Sequence, residues 1–472
     1  MSENLLKSTL SLAIPTLILC IPRAWFPLEN LTVVEHRVVA IFFLAAMLWI
    51  TEAIPIYATS ILIIVLLLIT ISSSGINVLI ADAGTTDFGE TIPYHEIMGT
   101  LSSPIILLFL GGFFLAMAST KYRLDQNLAR VLLKPFGRRP ANIIMGLMMI
   151  TAFFSMFMSN TATTAMMLSI IAPVLLHFNH NDPGKIALAL CIPLAANIGG
   201  LGTPIGTPPN ALALKYLTGI DAIGFGQWMS FGVPFVILLL GISWFILTCL
   251  FRSDVEEVKL DIKGEFSKSP KAIVVYVTFC LTILLWLFDF VHGMNSYTVA
   301  MIPVGVFLSL NIITKEDLKR INWDVLWLVS GGIALGLALA KSGLAEHVVT
   351  SIPFGEFSPF MIIVLTAVIS AVMANFMSNT ATANLLLPII ATIGATVVSL
   401  EPYGGSKMLI LGTAMAASLG MALPISTPPN ALAHATGVID TKNMIKIGVL
   451  VGGIGLLLVF VTLYVLNLIN FL

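Results

Sequence analysis

The sequence predicts an all-α polytopic membrane protein built from two copies of one structural repeat in inverted topology. Three observations carry this. Mean hydropathy is +1.00, with 58% apolar and only 10% charged residues, whereas a soluble domain carries roughly 25% charged residues. Most of the surface must therefore face lipid. Apolar stretches near the ~20 residues that cross a bilayer recur along the whole chain. Finally, the heptapeptide Phe-Met-Ser-Asn-Thr-Ala-Thr at 157–163 recurs at 376–382, and Thr-Pro-Pro-Asn-Ala-Leu-Ala at 207–213 recurs at 427–433.

Taken in order, eleven spans fall near 9–28, 38–52, 55–76, 101–120, 185–220, 226–251, 271–292, 297–313, 324–341, 406–440 and 445–471. Charge orients them. The segment 120–140 carries Lys121, Arg123, Arg130, Lys134, Arg138 and Arg139 against Asp125 alone, which marks it as cytoplasmic. The linker 252–270 and the loop 314–322, with Lys315, Lys319 and Arg320, read the same way. The segment 77–100 has Asp82, Asp87, Glu90 and Glu96 and no Lys or Arg, so it lies outside. This sets the N-terminus in the cytoplasm and the C-terminus outside. The seven tryptophans lie mostly near span ends and read as interface anchors.

Two further apolar stretches, 141–178 and 359–399, are interrupted at their centres by the repeated heptapeptide. Each is either two spans with a tight turn or a re-entrant hairpin. The polar heptapeptide favours the hairpin. The first starts and ends on the basic face. The second follows 351–360, which has no basic residue, and so enters from the opposite face. Thr207 follows Ser159 by 48 residues and Thr427 follows Ser378 by 49, and Gly111-Gly112 is matched by Gly331-Gly332. The repeats are therefore 1–251, with hairpin 141–178 and broken helix 185–220, and 271–472, with hairpin 359–399 and broken helix 406–440. Inverted repeats with interrupted helices in matching positions point to a transporter's binding site.

The repeated residues suit an anion. Ser and Asn are preferred helix N-caps, and an Ala-containing run after each tip can start a second arm. A helix that begins inside the membrane leaves backbone N–H groups without partners and carries about half a positive charge at that end. Thr207 and Thr427 are placed to cap, with Pro208 and Pro428 at the first helical position, where a missing N–H costs nothing. Gly199, Gly200, Gly202 and Pro204 loosen the chain before one, and Gly420 and Pro424 before the other. Four helix starts would then converge on an anion without any Lys or Arg in the motifs. Neutral oxygens in the same places suit sodium, and Ser155, Ser159, Asn160 and the Gly202-Thr203 loop are candidates in the first half. Ala374 and Leu423 stand where Ser155 and Thr203 would recur, so the second cage is poorer in hydroxyls.

Several classes are excluded or set aside. A net charge of −1 offers no basic stripe for nucleic acid. An intramembrane hydrolase needs a nucleophile paired with a base, and no His pairs with a Ser in a recognisable motif, so the chain is not expected to be an enzyme. A sodium/proton antiporter needs a mid-membrane acid, and neither repeat motif holds one. Cys20, Cys191, Cys249 and Cys280 sit singly in apolar runs and read as packed thiols, and no cofactor is expected. Glu52 reads as structural or interfacial, and Lys215 and His434 follow the two Thr-Pro-Pro-Asn motifs.

The doubled Ser-Asn-Thr with its Thr-Pro-Pro-Asn partners resembles the divalent anion/sodium symporter family, over nearly the whole chain. The resemblance implies eleven spans with two re-entrant hairpins, a homodimer in the cytoplasmic membrane, and an elevator motion of a transport domain against a scaffold domain. It implies secondary transport of succinate, malate, 2-oxoglutarate or citrate. Ser159, Asn160, Thr161, Ser378, Asn379 and Thr380 would contact substrate, with Thr207, Pro208, Thr427 and Pro428 nearby. Sodium would lie near Ser155, Ser159 and Asn160, and a second ion near Asn379. Many sodium-coupled members carry Thr-Glu where this chain has Ala374-Asn375, and the family includes sodium-independent dicarboxylate exchangers. Symport and exchange both stand as readings.

Overall fold

A computed structural model describes residues 11, 13–26, 28–175, 178, 182–257 and 265–472. The expected cytoplasmic N-terminus and the start of the 9–28 span lie outside the described residues. Among the described residues there is no strand, only one isolated bridge between Ser72 and Ile92. Among the described residues, nine helical segments are long and apolar enough to cross a membrane.

The helices used below are α1 (Val33–Thr51), α2 (Ile56–Thr70), α3 (Pro104–Lys121), α4 (Leu124–Leu133), α5 (Pro140–Phe157), α6 (Asn160–Leu175), α7 (Pro183–Gly200), α8 (Pro208–Tyr216) and α9 (Phe225–Leu250). The second half comprises α10 (Pro270–Leu287), α11 (Ser296–Ser309), α12 (Trp323–Lys341), α13 (Leu344–Ser351), α14 (Pro359–Phe376), α15 (Asn379–Thr396), α16 (Gly405–Ala417), α17 (Pro428–Ala435) and α18 (Thr441–Leu468). The two interrupted stretches are helical hairpins, α5–α6 and α14–α15, whose tips are the two-residue links Met158-Ser159 and Met377-Ser378. The two broken spans are α7–α8 and α16–α17.

Local sequence explains these boundaries. Pro140 and Pro359 open the hairpins at the first helical position, where φ is preset and no donor is lost. Thr32 and Glu35 form a reciprocal capping box at the start of α1. That helix ends at Glu52, in left-handed conformation at φ 49°, three residues before Pro55. Glu52 is thus an exposed C-cap.

The repeats exchange partners. The Gly-Gly helix of each repeat packs on the preceding helix of the other, α3 on α11 and α12 on α2. A Cβ on Gly111 would strike the Ala300 backbone, and one on Gly331 would strike Ser60. Only glycine allows these approaches.

Polar contacts sort the loops into two faces. On one, Lys121 pairs with Asp317, Arg138 with Glu257, and Asn127 donates to Glu265 O. This joins 120–140, the linker after α9 and the loop 314–322. On the other, Lys341 pairs with Glu96, Arg23 with Asp87, and His347 Nδ1 lies 2.9 Å from Glu35 Oε1. The grouping matches the one read from charge.

Two expectations are corrected. Trp49, Trp228 and Trp286 are fully buried, each spending its indole N–H on a backbone carbonyl, and Trp244 donates to Ala141 O. Only Trp25, Trp323 and Trp327 are exposed as interface anchors should be. Of the four cysteines only Cys191 is buried, while Cys20, Cys249 and Cys280 are exposed. In an apolar medium an outward thiol loses nothing, so the hydropathy of a span cannot tell inside from lipid-facing.

Candidate functional site

One cavity of about 200 Å³ is lined by all four helix starts. Ser159, Asn160 and Thr161 reach it from the first hairpin, and Ser378, Asn379 and Thr380 from the second. Thr207 and Pro208 border it from α8, and Thr427 and Pro428 from α17. Residues more than 200 positions apart in sequence thus share one wall. Hairpins entering from opposite faces meet here, as re-entrant tips must.

The four starts are not chemically alike. At the tips, Ser159 Oγ accepts from Ala162 N at 3.1 Å and Ser378 Oγ from Ala381 N at 3.2 Å. This satisfies the third amide of each helix. The first two amides, on Asn160 and Thr161 and on Asn379 and Thr380, find no acceptor among the described residues. The broken helices begin with Pro-Pro, so their first two positions have no N–H at all. The third amide, on Asn210 or Asn430, is taken up by Thr207 O or Thr427 Oγ1. The hairpin tips therefore supply two pairs of free donors. The proline starts add dipole and ring surface with no donor left over.

Asparagines hold the breaks in shape. Asn210 Nδ2 donates to the Gly200 and Thr203 carbonyls at 3.1 and 2.9 Å, and Asn430 Nδ2 to Met421 O and Leu423 O at 2.8 and 3.0 Å. Asn197, near the end of α7, crosses between repeats. Its amide donates to Thr427 Oγ1 at 3.2 Å and Asn430 Oδ1 at 3.1 Å. Trp228 fastens the first break by donating to Leu201 O.

The oxygen cluster of the first repeat is compact. Ser155 Oγ lies 2.5 Å from Asn160 Oδ1 and 2.7 Å from Ala196 O. Three neutral oxygens from a hairpin and a broken helix form the donor set that a hard monovalent cation takes in such folds. The Gly202-Thr203 loop is engaged elsewhere. The Thr203 hydroxyl donates to Met156 O, and the Gly202 carbonyl abuts Gly232 of α9. In the second repeat Ala374 brings no hydroxyl. There the Asn379 amide, oriented with its nitrogen toward acceptors, donates to Gly420 O and Ala417 O at 3.2 Å each.

Among the described residues no Lys or Arg lines the cavity, and one acid, Asp324 at the start of α12, does so beside Asn322. Lys215 turns away, donating to Ile333 O at 2.8 Å, and His434 contacts Thr441 Oγ1. Asn197, Ala196 O, Asn322 and Asp324 were not anticipated from sequence. A signal for Asn197 existed, since it is an amide inside an apolar span just before Gly-Gly.

The sequence profile of a family described as "Citrate transporter" matches residues 46–406. A sodium-dependent dicarboxylate transporter SdcS of Staphylococcus saprophyticus is 33% identical over 481 aligned positions, covering 93% of this chain and 88% of that protein. The protein of the same name from Staphylococcus aureus is 33% identical, covering 90% and 85%. Among solved structures, the YdaH transporter of Alcanivorax borkumensis, described as having an unusual topology, superposes with a TM-score of 0.57 at 15% identity. That match covers 88% of this chain and 98% of that one, and shows the fold alone.

Proposed function

The chain belongs to the citrate transporter family, of the divalent anion/sodium symporter type, and on that premise we propose that it carries di- and tricarboxylates of the succinate, malate, 2-oxoglutarate and citrate class across the cytoplasmic membrane. The observation that carries this is the pairing of free donors. Two hairpin tips each offer two backbone N–H groups and a hydroxyl, and a dicarboxylate offers two carboxylates. Each carboxylate takes one tip. Hydrogen bonds to a charged acceptor are worth about 1.5–3 kcal/mol each, so neutral donors in a low-dielectric cavity suffice. The relatives' names support the dicarboxylate and the sodium.

Sodium travels as a co-substrate on Ser155 Oγ, Asn160 Oδ1 and Ala196 O, and its charge offsets half that of the dianion. The two-sided sorting of basic and acidic loops supports a cytoplasmic N-terminus and an outer C-terminus. Lys215 and Asn384 donate to Ile333 O and Leu328 O of α12. These side-chain-to-backbone contacts suit an elevator, in which the hairpins and broken helices slide against α12. A second reading, sodium-independent exchange, is favoured by one feature. The Asn379 amide already satisfies the carbonyls that a second sodium would need.

The test is uptake of labelled succinate into proteoliposomes. Asn160→Ala and Asn379→Ala should each abolish saturable uptake while the purified proteins stay monodisperse. Normal uptake in both removes the site assignment. Uptake with no internal dicarboxylate should require sodium, and uptake restored without sodium by preloaded dicarboxylate selects exchange instead.

A further inference from the structure

A second cavity of about 280 Å³ adjoins the first and shares Phe113, Ser159 and Asn322 with it. It opens on the basic face, because Lys121, Asp317 and Arg320 also line it. Among the described residues the substrate cavity holds no Lys or Arg, so these are the formal positive charges next to the path that joins the cavity to that face. They are not equivalent. Lys121 is neutralised by Asp317 and also donates to Ile312 O at 2.9 Å. Arg320 is exposed, and its guanidinium has no ion pair or hydrogen bond among the described residues.

We propose that Arg320 makes this vestibule a recruiting site for dicarboxylates on the cytoplasmic side, where one carboxylate docks on the guanidinium before the anion passes Ser159 to the hairpin tips. It rests on the transport reading above. The planar guanidinium matches a carboxylate with two parallel N–H···O bonds. Its exposure keeps the contact weak, so it raises the local concentration of the anion without trapping it. The vestibule is asymmetric by construction, since its second cation is already paired. Because the vestibule opens on the basic face, the recruiting effect acts at one face of the membrane only.

The experiment compares right-side-out with inside-out membrane vesicles, preloaded with succinate and with sodium equal on both sides. Arg320→Gln should raise the KM for succinate roughly threefold to tenfold in inside-out vesicles, within the range that one focused charge gives. The maximal rate, and the KM in right-side-out vesicles, should stay unchanged. Arg320→Lys should restore much of the loss, and Arg320→Glu should exceed it. In the wild type the inside-out KM should rise with ionic strength, and in Arg320→Gln it should not. An unchanged inside-out KM in both Arg320→Gln and Arg320→Glu overturns the proposal, as does an equal rise on both faces. Persistence of the effect in pure phosphatidylcholine liposomes supports a dicarboxylate ligand, and its disappearance there assigns the arginine to an anionic lipid headgroup and overturns the proposal. Absence of saturable succinate flux in the wild type would instead defeat the transport reading itself.

Discussion

Asn197 allows the convergence of the two repeats to be tested with one substitution. Its amide is the donor that α7 extends to α17, and both acceptors are buried, Asn430 at 2% and Thr427 at 5% exposure. In Asn197→Ala, Thr427 Oγ1 keeps the Asn430 N–H, but Asn430 Oδ1 is left with no donor. A stranded buried acceptor costs about 1–3 kcal/mol, and the second lost bond about 0.5–1.5 kcal/mol. The expected loss is therefore about 1.5–4.5 kcal/mol, and α17 is freed to drift from the hairpin tips. In detergent the variant should melt well below wild type, and in proteoliposomes its succinate KM should rise. Asn197→Asp keeps the volume but turns a donor into an acceptor facing acceptors, so it should be worse than alanine. In an Asn430→Ala background the Asn197→Ala change should cost only the remaining bond to Thr427 Oγ1, about 0.5–1.5 kcal/mol, because no stranded Asn430 acceptor is left. An Asn197→Ala protein with wild-type melting and KM would refute the idea that this amide ties the repeats together.

Two further outcomes follow from the same geometry. Ser155→Ala removes one oxygen of the three-oxygen cluster, and sodium should then be needed at roughly tenfold higher concentration, a change of about 1.4 kcal/mol, measured as the sodium dependence of succinate uptake. Gly199→Ala would set a Cβ 2.5 Å from Ala152 Cα and 2.6 Å from its carbonyl oxygen, so α5 and α7 must separate and the yield of folded protein should collapse. Gly241→Ala meets nothing within 4 Å and should express normally, which the same purification would show.

Hairpins and breaks were legible because they are written locally. An identical heptapeptide in two apolar stretches, and Pro-Pro after Thr, fix a helix start wherever they occur. The meeting of the four starts was legible through the repeat, since inversion sends matched elements to a common depth. Contacts across the repeats were not. Nothing near Asn197 encodes that Thr427 lies opposite, and nothing near Thr203 encodes that its hydroxyl turns to Met156 O. Burial in a bilayer was equally hidden. Trp286 and Phe290 lie four residues apart in apolar surroundings, yet one is fully buried and the other 78% exposed. When solvent and core are both apolar, hydropathy loses its contrast and only packing decides.

The repeats share a fold but have divided the work, and the division follows from three substitutions. Ser155 corresponds to Ala374, Asn197 corresponds to Ala417, and Asn375 stands where the first repeat has Met156. The first repeat keeps a hydroxyl and an amide carbonyl together beside Ala196 O, which leaves unsaturated oxygen for a cation. The second closes its own gap. Asn375 Oδ1 accepts from Ala422 N at 2.9 Å and its Nδ2 donates to Ala371 O, while Asn379 covers the carbonyls at 417 and 420. Under the proposed function the symmetric part of the site, two pairs of tip amides, takes the near-symmetric dicarboxylate. Under the proposed function the asymmetric part is the place for a single cation, since one half retains oxygens to offer and the other has already spent its acceptors on its own amides.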